Sequence, residues 1–417
     1  MRAAWCLVTL AAAACSKPNP YYCEGAPMNN CTLVDSGSGT GCTTDNQCAG
    51  QVCDTAMHTC VACTTDKPGA CTATTPVCAN DACVACTADA QCPSGVCRLD
   101  GSCEAGSNVL YVGVNGGTGA CTPTDKCTYN AAMTAVPTTG KSVVHMDAGT
   151  YTQNFLIASN ATVTGRGAVL EATSGTVLSV SPSKVATVEL LTLRSAPTGT
   201  GVSGVTLGTG ASLTIAACDV GGSEGVGVSL PNGGSLTVSR SLIHDNLLGG
   251  ISLPSTTTSS LLDLTNTMIY LNGGAAMSQP IGGVSIAGTL LPGSRIDFDT
   301  IVDNGANNLA SAHAGGIVCD IASFAITNSI IAHNAVGGNV NASNANNFGL
   351  CSVTSGDLVQ PELDTLLFKD AANHDYHLTS GTPAEGHAMA TSIAIDIDGD
   401  HRPQGTGFDT GADELTP

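Results

Sequence analysis

The stretch from Gly204 to Leu350 repeats one three-part phrase about five times, and that repetition limits the folds open to the chain. The first part reads Gly204-Val-Thr-Leu, Gly227-Val-Ser-Leu, Gly250-Ile-Ser-Leu, Gly283-Val-Ser-Ile and Gly316-Ile-Val-Cys, with starts 23, 23, 33 and 33 residues apart. The second reads Leu213-Thr-Ile, Leu236-Thr-Val, Leu262-Asp-Leu, Ile296-Asp-Phe and Phe324-Ala-Ile. The third reads Ser241-Leu-Ile, Thr267-Met-Ile, Thr300-Ile-Val and Ser329-Ile-Ile, and is closed by Asn246, Asn272, Asn304 or Asn334. A period of roughly 20 to 50 residues marks a repeat architecture, in which one unit buries its apolar side only against its neighbours.

Each phrase alternates apolar with small polar residues, the period of a strand with one face inward. No helical period lies between the phrases, and propeller blades carry aromatic signatures that are missing here. The single tryptophan, Trp5, lies at the N-terminus. Three short strands per turn, stacked turn on turn, make a parallel β-helix, and the expectation is an all-β solenoid of about eight coils. The recurrent asparagines are expected to form a column, side chain to side chain, at the inter-strand spacing of about 4.8 Å.

Charged residues make up 11% of the chain and the net charge is −20. That balance argues against nucleic acid and against electrostatic adhesion to anionic lipid, and favours a soluble monomer. It suits divalent cations or basic partners.

Residues 1–14 read as a signal peptide: Arg2, then an apolar run too short to span a bilayer, ending Leu10-Ala-Ala-Ala-Ala14-Cys15. This ending resembles a bacterial lipoprotein lipobox, with Ala12 in place of the commoner Leu. The resemblance implies cleavage before Cys15, lipidation of its thiol and, with Ser16 next, an outer-membrane or cell-surface destination. The lipid would be the one link to a membrane. Residues 15–41 are read as a tether.

Residues 42–106 hold twelve cysteines in three units of four: Cys42, Cys48, Cys53 and Cys60; Cys63, Cys71, Cys78 and Cys83; Cys86, Cys92, Cys97 and Cys103. The first and third units share Cys-Thr-x-Asp-x-x-Cys, at Cys42 and Cys86, which resembles modules near the N-termini of secreted Gram-negative proteins. Large apolar residues are too few for a core, so disulfides must hold the segment; the rival reading is zinc at Cys60-x-x-Cys63 and Cys83-x-x-Cys86. Connectivity within four cysteines is open among three pairings. Beyond these, Cys23 goes with Cys31, Cys121 with Cys127 and Cys319 with Cys351, leaving Cys218 as a buried, inert thiol.

Residues 107–358 are assigned to the β-helix. Ser142-Val-Val-His-Met-Asp-Ala-Gly149-Thr-Tyr151 and Ala161-Thr-Val-Thr-Gly165-Arg-Gly167 resemble the opening coil of right-handed, pectate-lyase-like β-helices, which implies a right-handed solenoid. Lys126 to Val136 is the one expected helix, placed to cap the open end. Residues 359–417 resemble a choice-of-anchor Q domain, through Asp375-Tyr-His-Leu378, Ser380-Gly-Thr-Pro-Ala384, Asp396-Ile-Asp-Gly-Asp400-His-Arg-Pro403 and Asp409-Thr-Gly-Ala-Asp-Glu414. The resemblance concerns display and implies no chemistry; here the segment is expected to act as a C-terminal cap. Asp396, Asp398 and Asp400 have a spacing that suggests calcium, but His401 and Gly407 stand where an EF-hand loop has Gly and Glu, which favours a hydrogen-bonded loop. No other cofactor is expected.

Galacturonase motifs and the pectate-lyase Arg-x-Pro-x-x-Arg are absent from the sequence. Two constellations offer acid/base chemistry. Aligning Leu262 with Ile296 sets Asp263 beside Asp297 on neighbouring rungs, with Asp299 on the same side and Arg295 across. Such carboxylates could act as a pair in glycan cleavage or share a cation. The second is Asp245, Asp303 and His333, flanked by His244 and Tyr270. A solvated polar face is the alternative for both. The extra residues of the longer repeats fall at one point of the coil, 273–281, 305–314 and 337–348, where repeat proteins place binding loops. The expectation is a surface-displayed β-helix for adhesion or glycan binding, without catalysis; the alternative is a polysaccharide lyase or glycoside hydrolase on its outer face.

Overall fold

The computed structural model describes residues 41–231, 233–255, 258–274, 282–307, 314–321, 324–342, 345–360 and 367–416. The signal peptide, Cys15, Cys23, Cys31 and nearly all of the tether lie outside these residues. So do most of the insertion at 273–281 and parts of those at 305–314 and 337–348. The chain forms two compact units, one holding the cysteine-rich residues up to Cys71 with Cys78–Cys83, the other Thr72–Val77 and Val84 onward.

In the first unit a hairpin pairs Val52–Asp54 with Thr59–Val61, and disulfides join Cys42 to Cys53, Cys48 to Cys60, Cys63 to Cys78 and Cys71 to Cys83. The second unit holds Cys86–Cys97 and Cys92–Cys103. Every group of four is therefore cross-linked first to third and second to fourth. The shared Asp has a backbone role: Asp45 accepts the amide of Cys53 and Asp89 that of Cys97, both at 2.9 Å. Cys121–Cys127 and Cys319–Cys351 are also paired, and Cys218 is the free cysteine among the described residues.

The solenoid has three strands per coil, each stacked in a parallel ladder. The first ladder has eight strands, Phe155–Ile157, Thr176–Val180, Ser203–Leu207, Val228–Ser229, Ile251–Leu253, Val284–Ile286, Ile317–Cys319 and Asn347–Gly349, so seven full turns separate its ends. Val205, Val228, Ile251, Val284 and Ile317 pair in succession and are all buried. In the second ladder Ile215, Val238, Leu264, Ile296 and Ile326 stack; in the third, Val220, Ile243, Ile269, Ile301 and Ile331. These columns meet in one continuous apolar core, which no coil could bury alone.

Helix α1, Tyr129–Thr139, lies over the first coil, three residues later than the sequence pattern placed it at both ends. Thr128 caps its N-terminus by accepting the amide of Ala131, and Gly140 ends it in the left-handed conformation at φ +72°. Tyr129 meets Phe155 edge to face. Among the described residues no helix is long and apolar enough to cross a membrane.

Two boundaries differ from the sequence reading. The third cysteine unit belongs to the solenoid's body: Arg98 bonds Glu104 and Glu189, Arg166 donates to the Cys97 carbonyl at 2.6 Å, and Val96 packs with Val109, Tyr111 and Val143. Residues 367–416 do not sit as an end cap. They run along the flank and cover the outer side of the third ladder, where Met268, Tyr270, Val302, Ile330 and Ala332 pack with Leu367, Phe368, Tyr376 and Leu378. Arg240, Asn266, Thr300 and Asn328, on four successive coils, all bond this segment.

Candidate functional site

Both turns flanking the third strand are built the same way. One residue takes the left-handed conformation and the next turns a short polar side chain inward. Before the strand, Ala217, Arg240, Asn266, Phe298 and Asn328 have φ between 49° and 59°. They precede Cys218, Ser241, Thr267, Asp299 and Ser329. Cys218 N donates to Ser241 Oγ at 3.1 Å, Thr267 N to Asp299 Oδ1 at 2.8 Å, Asp299 N to Ser329 Oγ at 3.1 Å and Ser329 N to Asp357 Oδ1 at 2.7 Å. After the strand, Asp245, Leu271, Asp303 and His333 are left-handed and precede the asparagines. Asn246, Asn272 and Asn304 each donate Nδ2 to the next Oδ1 at 2.9–3.0 Å, and Asn334 passes the chain to Asn346 at 3.1 Å. Each Asn also accepts a backbone amide from the coil before it, which satisfies buried donors that a turn would otherwise strand.

The first ladder of turn residues takes in Asp299, and the strand register sets the partners of Asp263 and Asp297. Ile296 pairs with Leu264, not Leu262, so Asp263 faces Arg295 and Asp297 lies level with Thr265. The strands of this ladder are aligned by the turn that ends them, and Arg295–Asp297 is a strand shortened at its start. Asp263 is held by Arg295 at 2.6 and 3.2 Å. Asp297 accepts from Asn328 Nδ2 at 2.9 Å. Asp299 is fully buried and accepts the amides of Thr267 and Asp297. Burial pushes the carboxyls of Asp297 and Asp299 upward, Asp299 well above the ordinary range.

The second constellation does assemble, on the outer side of the third ladder. His244 bridges Asp219 (Nε2, 2.8 Å) and Asp245 (Nδ1, 2.7 Å), and Tyr270 stacks on its ring at 4.8 Å between centroids. Burial alone would lower the imidazole, but the two carboxylates outweigh it and hold it up to about 9. Asp303 accepts from His333 Nδ1 and from the Tyr376 hydroxyl. Both ring nitrogens of His244 are engaged by coil carboxylates, and Asp303, through the Tyr376 hydroxyl, ties segment 367–378 to the coils. Cys218 is inert: burial pushes its thiol up to about 12.

In the flank segment the recurring motifs are backbone braces. Asp396, fully buried, accepts the amides of Gly399, Asp400 and Glu414 at 2.8–3.0 Å. Asp398 instead faces His377, so Asp396, Asp398 and Asp400 do not converge. Asp409 accepts from Gly386 and Leu415, and Arg402 pairs with Glu414 at 2.9 Å with both side chains wholly buried. The Arg402 guanidinium lies 4.5 Å over the Phe298 ring, which covers that left-handed phenylalanine.

Sequence reasoning missed one grouping, His377 with Asp398 and Asp413, whose ligand-type atoms lie within 4.8 Å of one another. The signal was present, since these residues sit in three of the segment's four motifs, but nothing in the spacing brings the motifs together.

A family model described as "Family of unknown function (DUF8331)" matches residues 6–109, less than half of the chain. No curated protein matches. Among solved structures, the crystal structure of pectate lyase Pel9A is similar over 74% of this chain and 96% of its own, at 12% identity and a TM-score of 0.41. The chain is a parallel β-solenoid with a disulfide-rich N-terminal segment.

Proposed function

We propose that this protein is exported, anchored at the cell surface through Cys15, and displays its solenoid to bind glycan without turning it over. The supporting observation is the outer side of the second ladder. Thr162, Thr187, Thr214 and Thr237 stack there in register, all partly exposed, between neighbours that point into the core. Repeated at the strand spacing of about 4.8 Å, these hydroxyls form a flat row of donors and acceptors suited to a polyhydroxyl chain. The carboxylates weighed as catalytic are meanwhile engaged in braces and ion pairs. Eight disulfides among the described residues suit an oxidising compartment.

The test is a glycan array probed with the purified chain, followed by Thr214→Lys and Thr237→Lys. Retention of a polysaccharide class by the parent and its loss in both variants supports the reading; no retention, or unchanged retention in the variants, refutes it. Uronate polysaccharides incubated with the chain, with and without calcium, should give no unsaturated product and no new reducing ends. Turnover would replace this reading with a lyase or hydrolase.

A further inference from the structure

We infer that His377, Asp398 and Asp413 form a binding site for one divalent transition cation of the zinc class, which ties together three separate stretches of the flank segment. His377 comes from the strand Asp375–Leu378, Asp398 from the loop braced by Asp396, and Asp413 from the stretch that follows Asp409. Their ligand-type atoms lie within 4.8 Å of one another. Bonds of roughly 2.0–2.2 Å set donor atoms about 3.5 Å apart around a tetrahedral ion. Asp398, whose side chain is 59% exposed, is the ligand with the most room to adjust.

Three further features point to a cation. The first is the histidine's orientation. Asp375 Oδ1 lies 2.5 Å from Nδ1, so Nε2 faces Asp398 Oδ2, at 3.3 Å. A carboxylate on one ring nitrogen with the other left for the ion is the arrangement that fixes tautomer and direction in histidine metal sites. The second is Asp413. It is 7% exposed and accepts one amide, that of Leu378 at 2.7 Å. The third is where the neighbouring cations go. Lys369 turns to Asp375 at 3.4 Å, and Arg240 gives its hydrogen bonds to the carbonyls of Ile397 and Asp398, not to a carboxylate.

One imidazole and two carboxylates suit zinc-class ions better than calcium, which takes oxygen donors alone. The solvent side of the cluster leaves room for water as a further ligand. Binding replaces any proton on Nε2, which leaves to solvent. This inference stands apart from the glycan reading and survives its failure.

The experiment uses the full, oxidised chain, stripped with chelator and titrated with zinc by calorimetry, with calcium as comparator and thermal melts in parallel. The expected result is one zinc per chain, a higher melting temperature with zinc, and no such response to calcium. His377→Gln and Asp398→Asn should lose the site, and His387→Gln, exposed elsewhere on the segment, should keep it. Asp375→Asn leaves all three ligands in place and should weaken zinc by roughly 10- to 100-fold. Circular dichroism checks folding; should His377→Gln fail to fold, Asp375→Asn decides. Absence of zinc binding by the folded parent, or equal binding by the ligand variants, overturns the inference.

Discussion

Single residues here are asked for one property, a short side chain that accepts an amide from the next coil. Asp299 meets it from a fully buried position, so Asp299→Ala strands the Thr267 and Asp297 amides. Chemical denaturation should register a loss on the order of 3 kcal/mol, at roughly 1–3 kcal/mol per unsatisfied buried group. Asp263→Ala breaks only an exposed pair and should cost under about 1 kcal/mol. Equal costs would contradict the ladder. His244 adds a pH signature. Its folded-state value of about 9 lies above the ordinary 6.5, so folding favours the protonated ring. That stabilisation is complete below about pH 6.5 and is lost as pH rises through 9. Melting temperature should decline across that window, and His244→Gln should remove part of the decline; an unchanged profile would show that the two carboxylate contacts do not form. The asparagine column could be read directly from the sequence because one residue type recurs. Its companion could not, because Cys218, Ser241, Thr267, Asp299, Ser329 and Asp357 share only a size and a role. That hidden column is why Asp299 passed for a surface acid.

At the scale of elements, the first ladder announces its register through the glycine that opens each phrase. The second strands vary in length and are fixed by their closing turn, so aligning them by first apolar residue displaced Asp297 by two positions. The third strands carried a further signal: Leu242, Met268 and Ile330 place an apolar residue on the outward side at the start of the strand, and Met268 and Ile330 are buried there. Continuous apolar runs of this kind belong to strands covered on both faces. What covers them is the flank segment, whose motifs were legible as a unit while its position was not, since that depends on contacts such as Arg240 with Ile397 across 157 residues. The segment's keystone is Arg402. Its replacement by Ala leaves the buried Glu414 carboxylate, which still accepts the Gln404 and Asp409 amides, without its counter-charge, at a cost of about 3–5 kcal/mol. Limited proteolysis should then cut within 367–416 while the coils stay intact. Resistance equal to the parent's would show that the apolar contacts alone hold the flank.

For the whole molecule, the argument is that coils stack through their main chains into one core, flanked on one side and open on another. The outward column Thr162, Thr187, Thr214, Thr237, Asp263 and Arg295 advances one rung per residue. Spin labels on cysteines introduced at positions 162 and 295, five rungs apart, should therefore give a pulsed-EPR distance near 24 Å between backbones, at about 4.8 Å per rung. Cys218 is buried and the other described cysteines are paired, so among the described residues the introduced cysteines are the reactive ones. Moving the first label from 162 to 187 should shorten the distance by one rung, about 5 Å, despite the 25 residues between them. A narrow distribution that steps in this way is the predicted result; a distance that is broad, far longer, or unmoved by the shift would contradict the stacked coil.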